Sequence, residues 1–417
     1  MTIRTRATVL GVAAVLVVLL AGCTAGGAGA GATQTSPATA SAVVGVAAVA
    51  DIPVGAAAAL QFPEVGSGAV GIASADGTVR MLGQGGDTGT RPMASITKVI
   101  TSLVVLSEHP LASGSASDAA DPGPTITLGQ ADLDVTAEVE AEDQFTEPMY
   151  LGQQVTLHDA LAITLLTSAN NYAESVARWA FGSEDAYLAA ARAWLAENGL
   201  SQTTLADASG LDPGSASSTA DLLRVAALAH ANPALLAIAG MSSYDQPDVG
   251  TIANQNILLG ENGVDGLKTG STSYAGFTLL TSAVVTVGAE PVTLVSVVLG
   301  TASLDARFAS TRALLSSAEG GLAEVTLATA GEVFGSYTFP DGRLVEAVAP
   351  EPLSAVVFGD EAVSSTATLD DLPSDTVTNG STGASATGSA AGRVVGTATF
   401  TLGGGTLSVP LALAPPA

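Results

Sequence analysis

Lysine is the scarcest charged residue of this chain. Only two lysines, Lys98 and Lys268, stand beside eleven arginines in 417 residues. Where only a positive charge is needed, arginine serves as well, because both side chains are cationic at neutral pH. An amine, unlike a guanidinium, readily loses its proton when it is buried. The composition therefore indicates that both positions need the chemistry of an amine.

Basic and aromatic residues are also few. Thirteen basic residues face thirty-nine acidic ones, which gives a net charge of -26, and no basic cluster occurs beyond the N-terminus. Because nucleic acids are bound by concentrated positive surfaces, no nucleic-acid partner is expected. Only 4% of the residues are aromatic although 47% are hydrophobic. Alanine, valine and leucine supply most of the apolar content, which does not by itself indicate a membrane protein.

Cysteine and histidine are nearly absent, and this excludes several kinds of site. A single cysteine, Cys23, allows no intramolecular disulfide. The three histidines, His109, His158 and His230, form no Cys/His pattern typical of zinc. No Gly-x-Ser-x-Gly elbow and no nucleotide-binding glycine motif stands out, so a Ser-His-Asp triad has little support. We therefore expect neither a metal nor a cofactor.

The N-terminus has the features of a targeting segment. Arg4 and Arg6 precede an apolar run over residues 9–20, and the sequence Leu-Ala-Gly leads into Cys23. This resembles a bacterial lipoprotein signal. The resemblance implies that residues 1–22 are removed and that Cys23 is lipidated, on the outer face of the cytoplasmic membrane. An uncleaved anchor helix and a plain secretory signal are the alternatives, although the run is short for a spanning helix.

Composition divides the remaining chain into three parts. Residues 23–50 are nearly all small or apolar, which predicts a flexible tether. Residues 51–320 alternate helical and strand patterns, with an acidic surface excursion and some strand over 132–147. Residues 321–417 show short strands without a long helix, which predicts a β-rich C-terminal domain with a low-complexity insert at 376–392.

A serine and a lysine begin the most informative helical pattern. Apolar residues recur at helical spacing after Ser95, which predicts a helix to about residue 107 with Ser95 and Lys98 on one face. A hydroxyl one turn from a partly desolvated amine forms a nucleophile with its base. Taken alone, the pattern also fits an ordinary amphipathic helix.

Two further motifs follow in the chain. Ser168-Ala169-Asn170 falls at a break between predicted helices, where both polar side chains can point into one cleft or can simply cap the next helix. Lys268-Thr269-Gly270 lies on a predicted strand over residues 264–272 that begins an antiparallel meander.

The ordered triple Ser-x-x-Lys, Ser-x-Asn and Lys-Thr-Gly resembles the serine penicillin-recognising enzymes. It is most similar to the low-molecular-mass penicillin-binding proteins of the D-alanyl-D-alanine carboxypeptidase family, as are the residues around Asn254-Gln255-Asn256 and Gly263-Val264-Asp265. The resemblance implies an α+β fold: a transpeptidase domain like that of penicillin-binding proteins and β-lactamases, with an antiparallel sheet and flanking helices, over residues 51–320. A small β domain follows it.

The resemblance also implies roles for individual residues. Ser95 would form the acyl-enzyme, Lys98 would be its general base and Ser168 would relay a proton to the departing D-alanine. The backbone N–H groups of Ser95 and Ser271 would form the oxyanion hole. The residues implied in substrate binding are Asn170, Lys268, Thr269, Ser271 and Thr272. Among them, Lys268 would supply positive potential and orient Ser168, and the Thr269 and Thr272 hydroxyls would lie near the substrate's terminal carboxylate. The implied substrate is a peptidoglycan stem peptide ending in D-Ala-D-Ala, with β-lactams as covalent inhibitors.

Two other functions remain open. A β-lactamase would share the acylation step, but the middle motif here is Ser-Ala-Asn instead of Ser-Asp-Asn and a second domain follows. A non-catalytic cell-wall-binding lipoprotein would keep the fold without turnover. The retained amines at Lys98 and Lys268 argue against this last possibility.

Overall fold

The computed structural model describes residues 44–47 as backbone, and in full residues 58–112, 121–339, 342, 344–372, 392–403 and 405–414. The predicted signal segment, Cys23, most of the tether and nearly all of the low-complexity insert lie outside these ranges. The helices are α1 (Thr97–Glu108), α2 (Gln130–Ala141), α3 (Leu157–Leu166), α4 (Asn170–Phe181), α5 (Glu184–Glu197), α6 (Thr219–Ala231), α7 (Pro233–Ala239) and α8 (Leu304–Glu319).

The strands are β1 (Val44–Ala47), β2 (Ser67–Ala73), β3 (Val79–Gly86), β4 (Arg91–Pro92), β5 (Thr125–Thr127), β6 (Gln154–Thr156), β7 (Ala216–Ser217), β8 (Ser243–Gln246), β9 (Gly250–Ala253), β10 (Val264–Thr272), β11 (Gly276–Val287), β12 (Glu290–Thr301), β13 (Leu322–Ala328), β14 (Val333–Thr338), β15 (Leu344–Val348), β16 (Leu353–Phe358), β17 (Ser364–Leu369), β18 (Val394–Leu402) and β19 (Gly405–Leu413).

An antiparallel sheet of strand order β10-β11-β12-β2-β3 is the centre of the larger domain. Successive residues of a strand face opposite sides, so a sheet covered on both faces needs continuous apolar runs. In β11, Leu280 packs into the helical core while Leu279 packs on the opposite face with Phe308 of α8. In β12, Val295 likewise packs into the helical core, and Leu294 packs on the opposite face. Helices therefore flank both faces of the sheet.

On one face of this sheet, helices α3, α4, α5 and α6 pack around α1, which is buried along most of its length. Hydroxyl side chains cap several of them: Thr156 accepts from the backbone N–H of Asp159, and Ser218 accepts from that of Asp221. Among the described helices, no single one is long and apolar enough to cross a membrane. Only α6 and α7 taken together, bent by 99°, meet those criteria.

Helix α2 corrects one sequence interpretation. We predicted a surface excursion with some strand over residues 132–147, but Gln130–Ala141 is helical. The Asp132 carboxylate accepts from the backbone N–H of Gly129 at 2.7 Å and thus closes the first turn. Only Val135 and Val139 of this helix are buried. Three large apolar residues, Leu133, Val135 and Val139, in an acidic segment gave too weak a period to predict the helix.

The C-terminal domain has its own sheet and core. Its sheet has the order β1-β14-β15-β19-β18-β17, and β13 pairs with β16 beside it. Phe334 and Phe400 meet edge to face with centroids 5.9 Å apart, and Tyr337 donates to the Val395 carbonyl at 2.7 Å. Helix α8 ends at Glu319 and β13 begins at Leu322, close to the expected domain boundary at residue 320.

Strand β1 shortens the predicted tether. We expected flexible chain over residues 23–50, yet Val44–Ala47 pairs antiparallel with β14, from Val44 opposite Thr338 to Ala47 opposite Gly335. The alternating Val-Gly-Val-Ala sequence is compatible with an edge strand. We missed it because its partner lies almost 300 residues away in the chain. The predicted start of the larger domain at residue 51 stays a prediction, because β1 belongs to the C-terminal sheet.

Candidate active site

Ser95 lies in a 3₁₀ turn, Ala94–Ile96, directly before α1. We predicted it at the start of the helix; Ser95 precedes α1, which begins at Thr97, and Ala94 before it adopts the left-handed conformation with φ of 50°. That conformation costs a non-glycine residue roughly 1–2 kcal/mol. Close packing holds it in place: a side chain at Gly210 would overlap the Ala94 carbonyl. The strained turn sets the position of the Ser95 hydroxyl.

Lys98 connects three parts of the site. Its Nζ donates to Ser95 Oγ at 3.0 Å, to Asn170 Oδ1 at 2.7 Å and to the Ser209 carbonyl at 2.7 Å. Amide and carbonyl oxygens can only accept, whereas a hydroxyl can also donate. When the amine loses one proton, its lone pair must therefore face Ser95. This arrangement lets a neutral Lys98 accept the hydroxyl proton.

The surroundings of Lys98 favour its neutral form. Its side chain is fully buried, and desolvation lowers the pKa of Lys98 to about 7, against the opposing effect of the negative charges of Asp207 and Glu174. A substantial fraction of the amine is thus neutral near neutral pH. Such an amine is suited to act as a general base.

The Ser168-Ala169-Asn170 motif bridges α3 and α4. Ser168 has φ of 70°, again in the left-handed region, and Asn170 begins α4. The Asn170 Nδ2 donates to the Phe145 carbonyl at 2.8 Å. Because that carbonyl can only accept, the amide is fixed with Oδ1 towards Lys98. The asparagine therefore positions the Lys98 amine and does not cap the helix, since no side-chain cap is present on α4.

Strand β10 brings Gly270 against the turn that holds Ser95. A Cβ at position 270 would lie 3.0 Å from the Ser95 backbone nitrogen and 2.6 Å from Thr278 Oγ1. Only glycine lets the strand approach so closely, which gives the Lys-Thr-Gly motif its physical reason. The next residue, Ser271, borders the same cavity as Ser95.

The two threonines of this strand are bonded to protein groups. Thr269 donates to Gln255 Oε1 at 3.3 Å, and the Thr272 hydroxyl accepts from the backbone N–H of Ala275 at 3.0 Å. Gln255 itself lines the cavity, and it donates to the Thr167 carbonyl at 2.7 Å. The expected placement of both hydroxyls at a substrate carboxylate stays a prediction.

Lys268 is 1% exposed and lies on β10. Burial, followed by the positive charges of Lys98 and Arg307, holds the pKa of Lys268 well below its ordinary value. Among the described residues, Lys268 forms no hydrogen bond with Ser168. Its role in orienting that serine stays a prediction.

These elements enclose a polar cavity of about 270 Å³. Four predicted site residues line it: Ser95, Ser168, Asn170 and Ser271. The chain beyond α2 forms another wall with Asp143, Gln144 and Phe145, and Leu211, Gln255, Gly270 and Arg307 complete the lining. The acidic segment that we had placed at the surface therefore shapes the cavity.

Arg307 is the charged side chain from the far end of the larger domain that sequence reasoning missed in this cavity. It lies in the first turn of α8, is 4% exposed, and its Nη1 donates to the Gly270 carbonyl at 3.3 Å. Its buried Nε has no hydrogen-bond partner among the described residues. Burial lowers the pKa of Arg307 to about 10, so it remains a cation at neutral pH. An arginine in a helix's first turn opposes the helix dipole, a signal that could have marked it.

Comparison with known proteins agrees with this geometry. A family model described as D-alanyl-D-alanine carboxypeptidase matches residues 58–303, more than half of the 417-residue chain. The chain belongs to this family. The match begins just before β2 and ends before α8, so it includes the three motifs but not Arg307.

The chain is also similar to curated proteins that are named D-alanyl-D-alanine carboxypeptidases. The chain is 29% identical over 265 residues to D-alanyl-D-alanine carboxypeptidase DacD of Salmonella typhimurium, covering 62% of this chain and 64% of that protein. It is 29% identical over 243 residues to DacC of Escherichia coli, covering 57% of each. The chain thus spans less than two thirds of the length of these relatives.

Solved structures show the fold of the family. Penicillin binding protein 5 from Haemophilus influenzae matches with a TM-score of 0.57 at 20% identity, covering 85% of this chain and 97% of that one. A peptidoglycan synthesis regulatory factor (PBP3) from Streptococcus pneumoniae matches with a TM-score of 0.59 at 21% identity, covering 85% and 99%. The predicted α+β class, with its C-terminal β domain, is confirmed.

Proposed function

We propose that the protein is a serine-type carboxypeptidase that removes the terminal D-alanine from peptidoglycan stem peptides ending in D-Ala-D-Ala, and that β-lactams acylate the same serine. The observation that carries this proposal is the 3.0 Å hydrogen bond between Lys98 Nζ and Ser95 Oγ. The other two partners of the amine can only accept. Family membership supports the reaction class.

The proposed reaction has two steps. Ser95 Oγ bonds to the carbonyl carbon of the penultimate D-alanine as its proton passes to Lys98, and the peptide C–N bond then breaks. Ser168 relays a proton to the departing amine, which leaves as D-alanine. Water next attacks the ester, Lys98 takes its proton, and the Ser95 hydroxyl is restored. The N–H groups of Ser95 and Ser271 stabilise the oxyanion in both steps.

The substrate's terminal carboxylate needs a positive environment. We assign Lys268 to the electrostatic potential of the site and Arg307 to direct carboxylate binding, because Arg307 lines the cavity and remains a cation at neutral pH. Guanidinium groups bind carboxylates in a bidentate geometry. Asn170 holds the substrate amide, and Thr269, Ser271 and Thr272 contribute the hydroxyl edge of the site.

The proposal is tested by mixing the purified protein with a penicillin and following its intact mass over time. D-alanine release from diacetyl-L-Lys-D-Ala-D-Ala is measured in parallel. A persistent adduct together with D-alanine release supports the carboxypeptidase. Rapid penicillin turnover without D-alanine release favours a β-lactamase, and neither adduct nor product favours a non-catalytic wall-binding protein.

Arg307→Gln should raise the KM for the peptide by roughly 10- to 100-fold, the loss expected for a hydrogen bond to a charged group. Steady-state kinetics on the diacetyl peptide measures it, with the C-terminal amide of the same peptide as a second substrate. Because the amide lacks the carboxylate, its KM with the unmodified enzyme should already be higher by the same factor.

Arg312→Gln is the matched control. Arg312 lies on the same helix, is partly exposed and pairs with Glu261 at 2.6 Å. An unchanged KM in Arg307→Gln contradicts carboxylate binding by this residue.

We also propose that Cys23 carries a lipid that holds the protein at the outer face of the cytoplasmic membrane. The signal-like residues before it support this location. Cys23→Ser in the native host should move the protein from the membrane fraction to the soluble fraction, measured by fractionation and immunoblotting. Continued membrane association of the variant would favour an uncleaved anchor instead.

A further inference from the structure

The segment between β9 and β10 carries two asparagines that hold it in place. The Asn254 Nδ2 donates to the Ala239 carbonyl, at the end of α7, at 2.9 Å. The Asn256 Nδ2 donates to the Gly266 carbonyl of β10 at 3.1 Å, and the Asn256 backbone N–H donates to Asn254 Oδ1 at 2.9 Å. Gln255, which has no part in the proposed reaction, thus lies between two residues whose positions are set by α7 and β10.

Gln255 pairs with two carbonyl groups at the end of α3. The last carbonyl groups of a helix have no partner within the helix, so another part of the protein must satisfy them. The Gln255 backbone N–H donates to the Leu166 carbonyl at 3.2 Å, and its side-chain Nε2 donates to the Thr167 carbonyl at 2.7 Å. One residue therefore holds two successive peptide groups directly ahead of Ser168.

A third hydrogen bond ties Gln255 to the Lys-Thr-Gly motif. Its Oε1 accepts from the Thr269 hydroxyl at 3.3 Å, and Thr269 is buried on β10. Because the Thr167 carbonyl can only accept, the Nε2 end of the amide must face Thr167, which leaves Oε1 for the hydroxyl. The orientation of the amide is thereby fixed. Gln255 connects the turn before Ser168 to the strand that borders the cavity.

The position of the Ser168 hydroxyl depends on this backbone. Ser168 lies in the cavity lining, and its hydroxyl has no hydrogen-bond partner among the described residues. The Thr167 carbonyl and the Ser168 nitrogen belong to one planar peptide group. A bond that fixes the carbonyl therefore fixes the plane from which the serine extends. On the other side of the turn, the Asn170 backbone N–H donates to the Phe145 carbonyl at 3.2 Å.

We propose that Gln255 is a positioning residue for the proton relay, because its bond to the Thr167 carbonyl directs the Ser168 hydroxyl to the leaving nitrogen. The proposal rests on the proposed function, which gives Ser168 that task. When the peptide C–N bond breaks, its electron pair stays on the nitrogen. The nitrogen takes the proton of the Ser168 hydroxyl and leaves as the amine of D-alanine. The proton that Lys98 received from Ser95 then restores the Ser168 hydroxyl.

A relay of this kind matters only for a leaving group that needs a proton. An amine must gain one to leave, whereas a thiolate leaves without it, because a thiol ionises at about pH 8.5. The two substrates for the test are diacetyl-L-Lys-D-Ala-D-Ala and the thioester in which thioglycolate replaces the last D-alanine. Both have a terminal carboxylate, and both form the same acyl-enzyme. They differ at the leaving atom.

Gln255→Met keeps the length of the side chain and removes both of its hydrogen bonds. The measured quantity is kcat/KM for each substrate. The value for the peptide should fall roughly 10-fold, the loss expected for one hydrogen bond, and the value for the thioester by less than about twofold. Weaker carboxylate binding would slow both substrates alike. An equal loss for both substrates, or no loss for either, overturns the proposal.

Gln246→Met is the matched control. Gln246 is buried in β8, and its Oε1 accepts from the backbone N–H groups of Asp248 and Val249 at 2.8 and 2.7 Å. The exchange removes side-chain bonds to backbone groups outside the cavity lining. It should lower the midpoint of thermal unfolding at least as much as Gln255→Met, and it should leave the ratio of the two kcat/KM values unchanged. If this control changes the ratio as strongly as Gln255→Met does, the ratio reports stability and the proposal is overturned.

Gln255→Glu separates the two bonds of the side chain. An ionised carboxylate can accept from the Thr269 hydroxyl but cannot donate to the Thr167 carbonyl. Above neutral pH, the ratio of peptide to thioester kcat/KM should therefore fall as in Gln255→Met. A ratio equal to that of the unmodified protein would show that the bond to Thr167 is not needed, and would overturn the proposal. If the unmodified protein acts on neither substrate, the proposed function fails instead, which distinguishes the two failures.

Discussion

Ser95→Ala should form no covalent adduct with a penicillin and should release D-alanine roughly 10⁴-fold or more slowly, as expected when a nucleophile is removed from a group that acts as a unit. The fold should survive, because the hydroxyl makes one bond to Lys98 and a neutral amine keeps its two remaining acceptors, Asn170 and Ser209. The loss of stability should be about 1 kcal/mol. Intact-mass spectrometry and thermal unfolding measure the two effects.

Ser107→Ala is the control for this variant. Ser107 lies on the exposed part of the same helix, and its hydroxyl donates only to the Val104 carbonyl at 2.7 Å. Ser107→Ala should form the covalent penicillin adduct to the same extent as the unmodified protein. A full adduct in Ser95→Ala, located by peptide mapping at another serine, would show that the nucleophile has been assigned wrongly.

Lys98→Arg should reduce the rate of acylation by roughly 10³-fold, within the range that general-base catalysis contributes. The exchange keeps the positive charge but removes the proton acceptor, since a guanidinium does not lose its proton in proteins. The planar group also cannot copy the three hydrogen bonds of the compact amine. Stopped-flow acylation by a chromogenic cephalosporin measures the rate at several pH values.

The reverse exchange provides the control. Arg192→Lys, on the exposed face of α5, should leave the rate of acylation unchanged. Circular dichroism should show that Lys98→Arg is folded. If the folded variant acylates at the unmodified rate, then Lys98 supplies charge and not a base. The scarcity of lysine in the chain would in that case have another cause.

The parts of the site that could be predicted are those set by short spacings. Ser95 and Lys98 lie three residues apart, and Ser168 and Asn170 two apart, so a local turn is enough to place each pair. Recognising that both pairs meet needed the resemblance to a family. Gly270 could be predicted for the same reason, because it lies two residues after Lys268 in the Lys-Thr-Gly motif.

The remaining features depend on contacts between residues far apart in the chain. Arg307 reaches the cavity only because α8 packs on β11 and β12, next to β10 in the sheet, and no local pattern encodes that packing. The left-handed residue Ala94 is held by Gly210, and neither alanine nor the serine at the left-handed Ser168 signals that conformation.

Strand β1 gives the chain an unusual order. One edge of the C-terminal sheet is built from Val44–Ala47, ahead of the larger domain, while the other strands of that sheet follow it. The larger domain is in this sense an insertion between two pieces of one sheet. A shortened protein that starts at residue 58 would keep every cavity-lining residue but expose the backbone of β14, an unpaired edge that favours association between molecules. Recombinant versions intended to stay monomeric should therefore begin before residue 44.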